Sequence, residues 1–124
     1  MEIILSINTT RVIKSNDSSI LCNKELLKAA EKGNFGGVDL FLQCPGGDIN
    51  HGDGQGRTPL YLASGNGHTL VVRTLLGFRQ IDVNKARTDY GATALFAASQ
   101  FGHENIVRLL LNHPKIEVNQ GLTR

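Results

Sequence analysis

Apolar positions in the middle of the chain fall into two arrangements that follow one another. Leu60-Tyr61-Leu62-Ala63 is apolar at every position, whereas Val71, Val72, Leu75 and Leu76 recur at three- and four-residue spacing. The first pattern predicts a short helix buried all round, the second a helix with one buried face. Thr58 is a good N-cap, and Pro59 stands at the first helical position, where its missing N–H costs nothing. Gly67 can take the left-handed conformation that ends a helix, so the first helix is expected to stop near it. The second is expected from about Thr69 to Gly77. The polar stretch after Ile81-Asp82-Val83-Asn84, running to Gly91, predicts an extended reversal punctuated by glycine.

This unit recurs. Thr58-Pro59-Leu60-Tyr61-Leu62-Ala63-Ser64 returns as Thr93-Ala94-Leu95-Phe96-Ala97-Ala98-Ser99, and Gly67-His68 as Gly102-His103. Val71-Val72-Arg73 returns as Ile106-Val107-Arg108, Leu75-Leu76 as Leu110-Leu111, and Val83-Asn84 as Val118-Asn119. A weaker copy lies upstream at Leu26 to Asn34, Val38 to Leu42 and Asp48-Ile49-Asn50. Three ordered copies define a repeat array, in which a helix pair too small to bury its own apolar sides is covered by its neighbours.

These residues resemble the ankyrin repeat, whose signature is an Asp/Gly turn, Thr-Pro-Leu-His-x-Ala, Gly-His, a Val-x-x-Leu-Leu helix and Asp-Val-Asn. Asp53-Gly54-Gln55-Gly56-Arg57-Thr58-Pro59-Leu60, Gly67-His68 and Asp82-Val83-Asn84 carry the match, which covers about residues 23 to 120. The chain departs from the signature at Tyr61 and Phe96, which replace its histidine, and at Ala94, which replaces its proline. The resemblance implies an all-α solenoid of three stacked helix pairs with short β-hairpin loops. Repeats are expected at about 24–57, 58–92 and 93–124, the last incomplete in its hairpin. It also implies that hairpin tips and first-helix edges line a concave groove that grips a partner protein. Carried onto this sequence, the groove positions are Gly54, Gln55, Arg57 and Asn66 in the second repeat, with Arg87, Asp89, Tyr90, Gln100 and Phe101 in the third. Tyr90, Phe101 and the arginines stand out, because aromatic residues and Arg are enriched among binding hot spots. The repeated His68 and His103 are expected to bond nearby backbone.

The ends differ. In the first repeat Leu26, Leu27 and Ala30 keep one apolar face, while Lys24, Lys28, Glu31 and Lys32 form a wet one, as in an N-terminal cap. The third repeat keeps Leu109, Leu110 and Leu111 with no polar counterpart. That suggests either a piece of a longer array, the favoured reading, or an end that something covers, including self-association through this face. Residues 1–22 are expected to be a leader outside the repeats, strand-like or disordered.

Composition adds mainly exclusions. In 124 residues, 13 basic and 11 acidic side chains leave a net charge of +2, too balanced for a phosphate-tracking surface, so no nucleic acid is expected. No stretch approaches the ~20 apolar residues of a membrane span, and the N-terminus lacks a signal-peptide pattern. Cys22 and Cys44 are too few for a disulfide scaffold and lack zinc-site spacing. They are read as two plain thiols in a reducing compartment, which suits a cytoplasmic protein, in a host's cytosol if the chain is an effector. No nucleophile elbow, phosphate loop or His-Glu-x-x-His is present. No catalytic residue, cofactor or metal is therefore expected.

The function expected is a protein–protein interaction module of unknown partner. Two alternatives stay open: a targeting or regulatory segment of a larger protein whose activity lies elsewhere, and a bacterial effector that binds a host protein.

Overall fold

The computed structural model describes residues 15–41 and 43–118, which form six helices: α1 (Ser15–Lys32), α2 (Phe35–Phe41), α3 (Pro59–Gly65), α4 (Thr69–Leu76), α5 (Ala94–Gln100) and α6 (Glu104–Leu111). The first helices α1, α3 and α5 pack in one row and the second helices α2, α4 and α6 in another. Each pair is an antiparallel hairpin of helices, and the core lies between the rows. Leu26, Leu60, Val72, Leu75, Ile106 and Leu110 are almost wholly withdrawn from solvent there.

Local chemistry sets where helices begin and end. The hydroxyl of Thr58 accepts the Tyr61 N–H at 3.1 Å, and that of Thr93 accepts the Phe96 N–H at 3.2 Å. Each therefore satisfies a donor that the first turn leaves without a helical partner. At the other end Gly33, Gly67 and Gly102 take φ of 75°, 79° and 75°. A Cβ on Gly33 would lie 2.5 Å from Nδ1 of His68, and one on Gly67 would lie 2.7 Å from Cε1 of His103. Only glycine meets both conditions, the left-handed turn and the close ring.

A second tie runs along the opposite edge of the array. The Asn50 side chain donates to the Gln80 carbonyl and accepts the Asp82 N–H, both at 2.8 Å. Asn84 repeats this one unit later, donating to the Lys115 carbonyl and accepting the Glu117 N–H, again at 2.8 Å. One amide thus satisfies two backbone groups of the next repeat, where the loops leave them without a ladder.

The structure corrects the sequence reading in three places. First, α1 begins at Ser15, so residues 15–22, expected within a strand-like or disordered leader, are helical. Asn23 holds this helix against the following loop by accepting the Asp48 N–H at 2.8 Å. Residues 1–14 of the expected leader lie outside the described residues, as do residues 119–124. Secondly, Cys22 and Cys44 are not free thiols but a disulfide, with their Cα atoms 6.2 Å apart. The added turns of α1 bring Cys22 over the loop after α2. Such bonds persist in oxidising surroundings, so the cysteines give no support to a reducing compartment. Thirdly, the loops hold no strand among the described residues. Each tip is closed by a bond such as Asp53 N–H to Arg57 O at 3.1 Å or Arg87 N–H to Ala92 O at 2.8 Å, too short a ladder for a hairpin.

The two outer faces carry mixed surfaces. Lys24, Lys28, Glu31 and Lys32 are solvent-exposed, as the cap requires, yet Leu21 and Leu40 are exposed beside them. On the third repeat Leu111 is exposed and Val107 and Leu109 are half-buried.

Two outcomes are expected in denaturant unfolding. Leu75→Ala or Leu110→Ala should destabilise the chain by about 2–5 kcal/mol, as deletions in a packed core do, while Lys28→Ala stays within about 0.5 kcal/mol of wild type. Reducing the disulfide, or Cys22→Ser, should cost about 2–4 kcal/mol by releasing a closed loop in the unfolded chain. A thiol assay on the native protein should find no free cysteine among the two.

Candidate functional site

The second-repeat tip is organised by one carboxylate. Oδ1 of Asp53 accepts the N–H groups of Gln55 and Arg57, both at 2.9 Å, and Oδ2 accepts Nε of Arg57 at 2.8 Å. Burial alone would raise this carboxyl, but the two backbone bonds and the Arg57 guanidinium together hold it below its ordinary value. The next tip leans on this one, since the Thr88 N–H donates to the Gln55 carbonyl at 3.0 Å.

The third-repeat tip is built around Arg87. Its Nε donates to Oδ1 of Asp89 at 2.9 Å and its Nη2 to Oδ2, the two-pronged arrangement that carboxylate and guanidinium favour. Its Nη1 donates to the Tyr61 hydroxyl at 3.2 Å. The same guanidinium lies 4.5 Å from the centre of the Tyr90 ring and 5.5 Å from that of Tyr61, within the range of cation–π attraction. With these partners the Arg87 side chain is only 13% exposed. Hydrogen bonding to Asp89, then to Tyr61, raises the already high arginine pKa further, and the Arg87 bonds depress the Asp89 carboxyl. The Tyr90 phenol is pushed up, first by its bond to Tyr61 and then by burial.

Between the tips and the first helices lies a groove with a cavity of about 300 Å³. Arg57, Asn66, Arg87, Tyr90, Gln100 and Phe101 all line it, so six of the nine positions expected along the groove converge. Asp89 does not line it and instead orients Arg87. Asn66 is held by donating to the Glu31 carbonyl at 3.2 Å. Phe101, the C-cap of α5, is 61% exposed and Tyr90 38% exposed. Gly54 and Gln55 are exposed at their tip but do not line the cavity.

Four lining residues escaped the sequence reading: Glu31, Tyr61, Leu62 and Gly65. Tyr61 was visible as a departure from the repeat signature. Glu31, Gly65 and Gln100 are equivalents at one repeat position, so position-by-position comparison could have found them.

A larger cavity of about 410 Å³ lies on the outer face of the first repeat, between Leu21, Leu26, Leu40 and Phe41 and beside the disulfide. Repeats elsewhere in the chain stack on the corresponding face, so it has the character of a packing surface. The histidines do structural work. Nε2 of His68 donates to the Glu31 carbonyl at 2.9 Å, and Nε2 of His103 to the Gly65 carbonyl at 3.0 Å. A carbonyl can only accept, so the proton sits on Nε2 in both rings. Among the described residues, no group of three or more His, Cys, Asp or Glu could hold a metal ion, and no helix is long and apolar enough to cross a membrane.

Helix pairs stacked in two parallel rows, tied repeat to repeat by His and Asn side chains, define a helical repeat solenoid. A family model for ankyrin repeats matches residues 26–121 in three copies. The chain belongs to the ankyrin-repeat family, whose arrays are in general protein-interaction modules. No curated protein matches it.

The tip carboxylates predict an acid response. Asp53 is depressed in the folded state, so its contribution is full above its ordinary value of 3.8 and is lost as pH falls through the lower folded value. Thermal unfolding followed from about pH 6 to about pH 3 should show wild type losing stability below about pH 4. Asp53→Asn should begin less stable at neutral pH and lose less over the same interval.

Proposed function

We propose that this chain binds a segment of a partner protein in the groove between its loop tips and first helices. The observation that carries the reading is the convergence of two exposed aromatic rings, Tyr90 and Phe101, with Arg57, Asn66 and Gln100 on one cavity. Aromatic residues and arginine contribute most at interfaces because they combine large apolar area with directed polar groups. The groove is also built on helix ends and mutually bonded tips, which keep its side chains in place before a partner arrives. Its two arginines are each paired with a carboxylate and the chain carries a net charge of only +2, so affinity is expected to rest more on packing than on long-range steering.

The test starts from a pull-down with the intact protein and identification of its partner by mass spectrometry. Phe101→Ala and Tyr90→Ala should each weaken binding by at least about 2 kcal/mol, with an unchanged circular-dichroism spectrum. Arg73→Ala and Arg108→Ala on the second helices, and Leu40→Ala beside the outer cavity, should leave affinity within about 0.5 kcal/mol. The reverse pattern would place the partner on another face and reject the groove.

A further inference from the structure

Glu31, Gly65 and Gln100 occupy the same position at the end of successive first helices, and all three line the groove. The middle one has no side chain. A Cβ on Gly65 would make ordinary contact with Cβ of Ala97 at 3.5 Å and with Cδ2 of Phe101 at 3.9 Å. Gly65 thus leaves a notch floored by Leu62 and walled by the Phe101 ring, between a carboxylate at one end and an amide at the other. An apolar side chain set against this notch would cover exposed Phe101 and remove water from both.

The charges around this notch are uneven in what they still lack. Arg57 is held by Asp53 at 2.8 Å, and Arg87 is held by Asp89. Glu31 lines the groove, is exposed, and has no ion pair with a cation among the described residues. Its neighbours on α1 are committed elsewhere: Lys28 pairs with Glu25 at 3.5 Å, and Lys32 lines the cavity on the outer face. The unmet charge of the groove is therefore negative and sits one repeat from the notch.

We infer that the partner segment presents an apolar or aromatic side chain to the Gly65 notch and a lysine or arginine to Glu31. This rests on the groove reading and names the chemistry the groove selects. Neighbouring helices lie roughly 8–10 Å apart, and an extended chain advances roughly 3.3 Å per residue. The basic residue therefore falls about two to three positions from the apolar anchor. A carboxylate at that position would meet Glu31 and be disfavoured, which gives the groove a means of rejecting acidic segments.

The test uses displayed random peptides of about twelve residues, long enough at roughly 3.3 Å per residue to cross all three repeats, selected against the intact wild-type protein. Selected peptides are synthesised and measured by fluorescence anisotropy. The expected set carries an aromatic or large aliphatic residue with Lys or Arg two to three positions away. Glu31→Gln should weaken these peptides about tenfold, and Glu31→Lys more, while Glu31→Lys gains acidic peptides on reselection. Gly65→Leu should abolish binding by filling the notch, with helix content unchanged, since the space beside it accepts a side chain. Peptides that need Phe101 and an open Gly65 yet are acidic, or ignore Glu31→Gln, would overturn this inference and leave the groove standing. Peptides indifferent to both Phe101→Ala and Gly65→Leu, or a selection that yields no groove-dependent peptide, would overturn both.

Discussion

The first helices α1 and α3 each end on a left-handed glycine pressed against a histidine ring of the following repeat. Gly33 meets His68 and Gly67 meets His103 so closely that a single added carbon would collide with the ring. The same rings reach back and bond the Glu31 and Gly65 carbonyls, which the helix ends leave without partners. Steric contact and hydrogen bond act on one ring from two sides. Together they set both how far apart consecutive repeats stand and how they are aligned, to within the tolerance of a hydrogen bond. The apolar contact between rows supplies most of the stabilisation, but area alone is tolerant of sliding. The histidine is not.

That alignment is what makes a binding groove. If successive first helices slipped by one residue, each side chain would turn about 100° around its helix axis. Glu31, Gly65 and Gln100 would then no longer face the same cavity. Asn50 and Asn84 hold the opposite edge by the same principle, each tying two backbone groups of the next repeat. Between these two lines of ties the loop tips have little freedom left. Arg87, bonded by Asp89 and Tyr61 and stacked on Tyr90, is already ordered in the unbound chain. A partner then avoids the roughly 0.5–1.5 kcal/mol that immobilising such a side chain costs at an interface.

Most of the architecture was legible because a repeat states each constraint more than once. Thr58 and Thr93 as caps, Gly67 and Gly102 as helix ends, and Leu75 and Leu110 as core could be read by comparing copies. The groove residues were legible in the same way, apart from Glu31, Tyr61, Leu62 and Gly65. A position held by Glu, Gly and Gln in three copies shares no chemistry, so only alignment of the copies marks it as one position. The disulfide was hidden for a different reason. Cys22 precedes the first recognisable repeat residue, so no second copy could show that α1 extends back over the loop that holds Cys44. The hairpin loops were over-read, since repeat spacing indicates a reversal but not whether its arms are long enough to pair. The partner is absent from the sequence in principle, because recognition depends on a surface that no folding constraint specifies.

In a linear array each repeat owes its stability to its neighbours, and the first and third repeats are secured differently within the described residues. The first has a covalent tie between α1 and the loop after α2, and its Glu31 carbonyl receives bonds from both Asn66 and His68. The third has no such bond among the described residues, and its Gly102 faces open space where Gly33 and Gly67 each meet a ring. Among the described residues the third repeat lacks both ties, and local opening draws on the least supported contacts first. Yet Tyr90 and Phe101, the two exposed aromatic anchors, both belong to that repeat. A segment that lies across Phe101, the Gly65 notch and Glu31 touches all three first helices. It would add to the third repeat the lateral support that the first draws from its disulfide. That support would act on a repeat already formed, since Arg87 at its tip is held by Asp89 and Tyr61 without a partner.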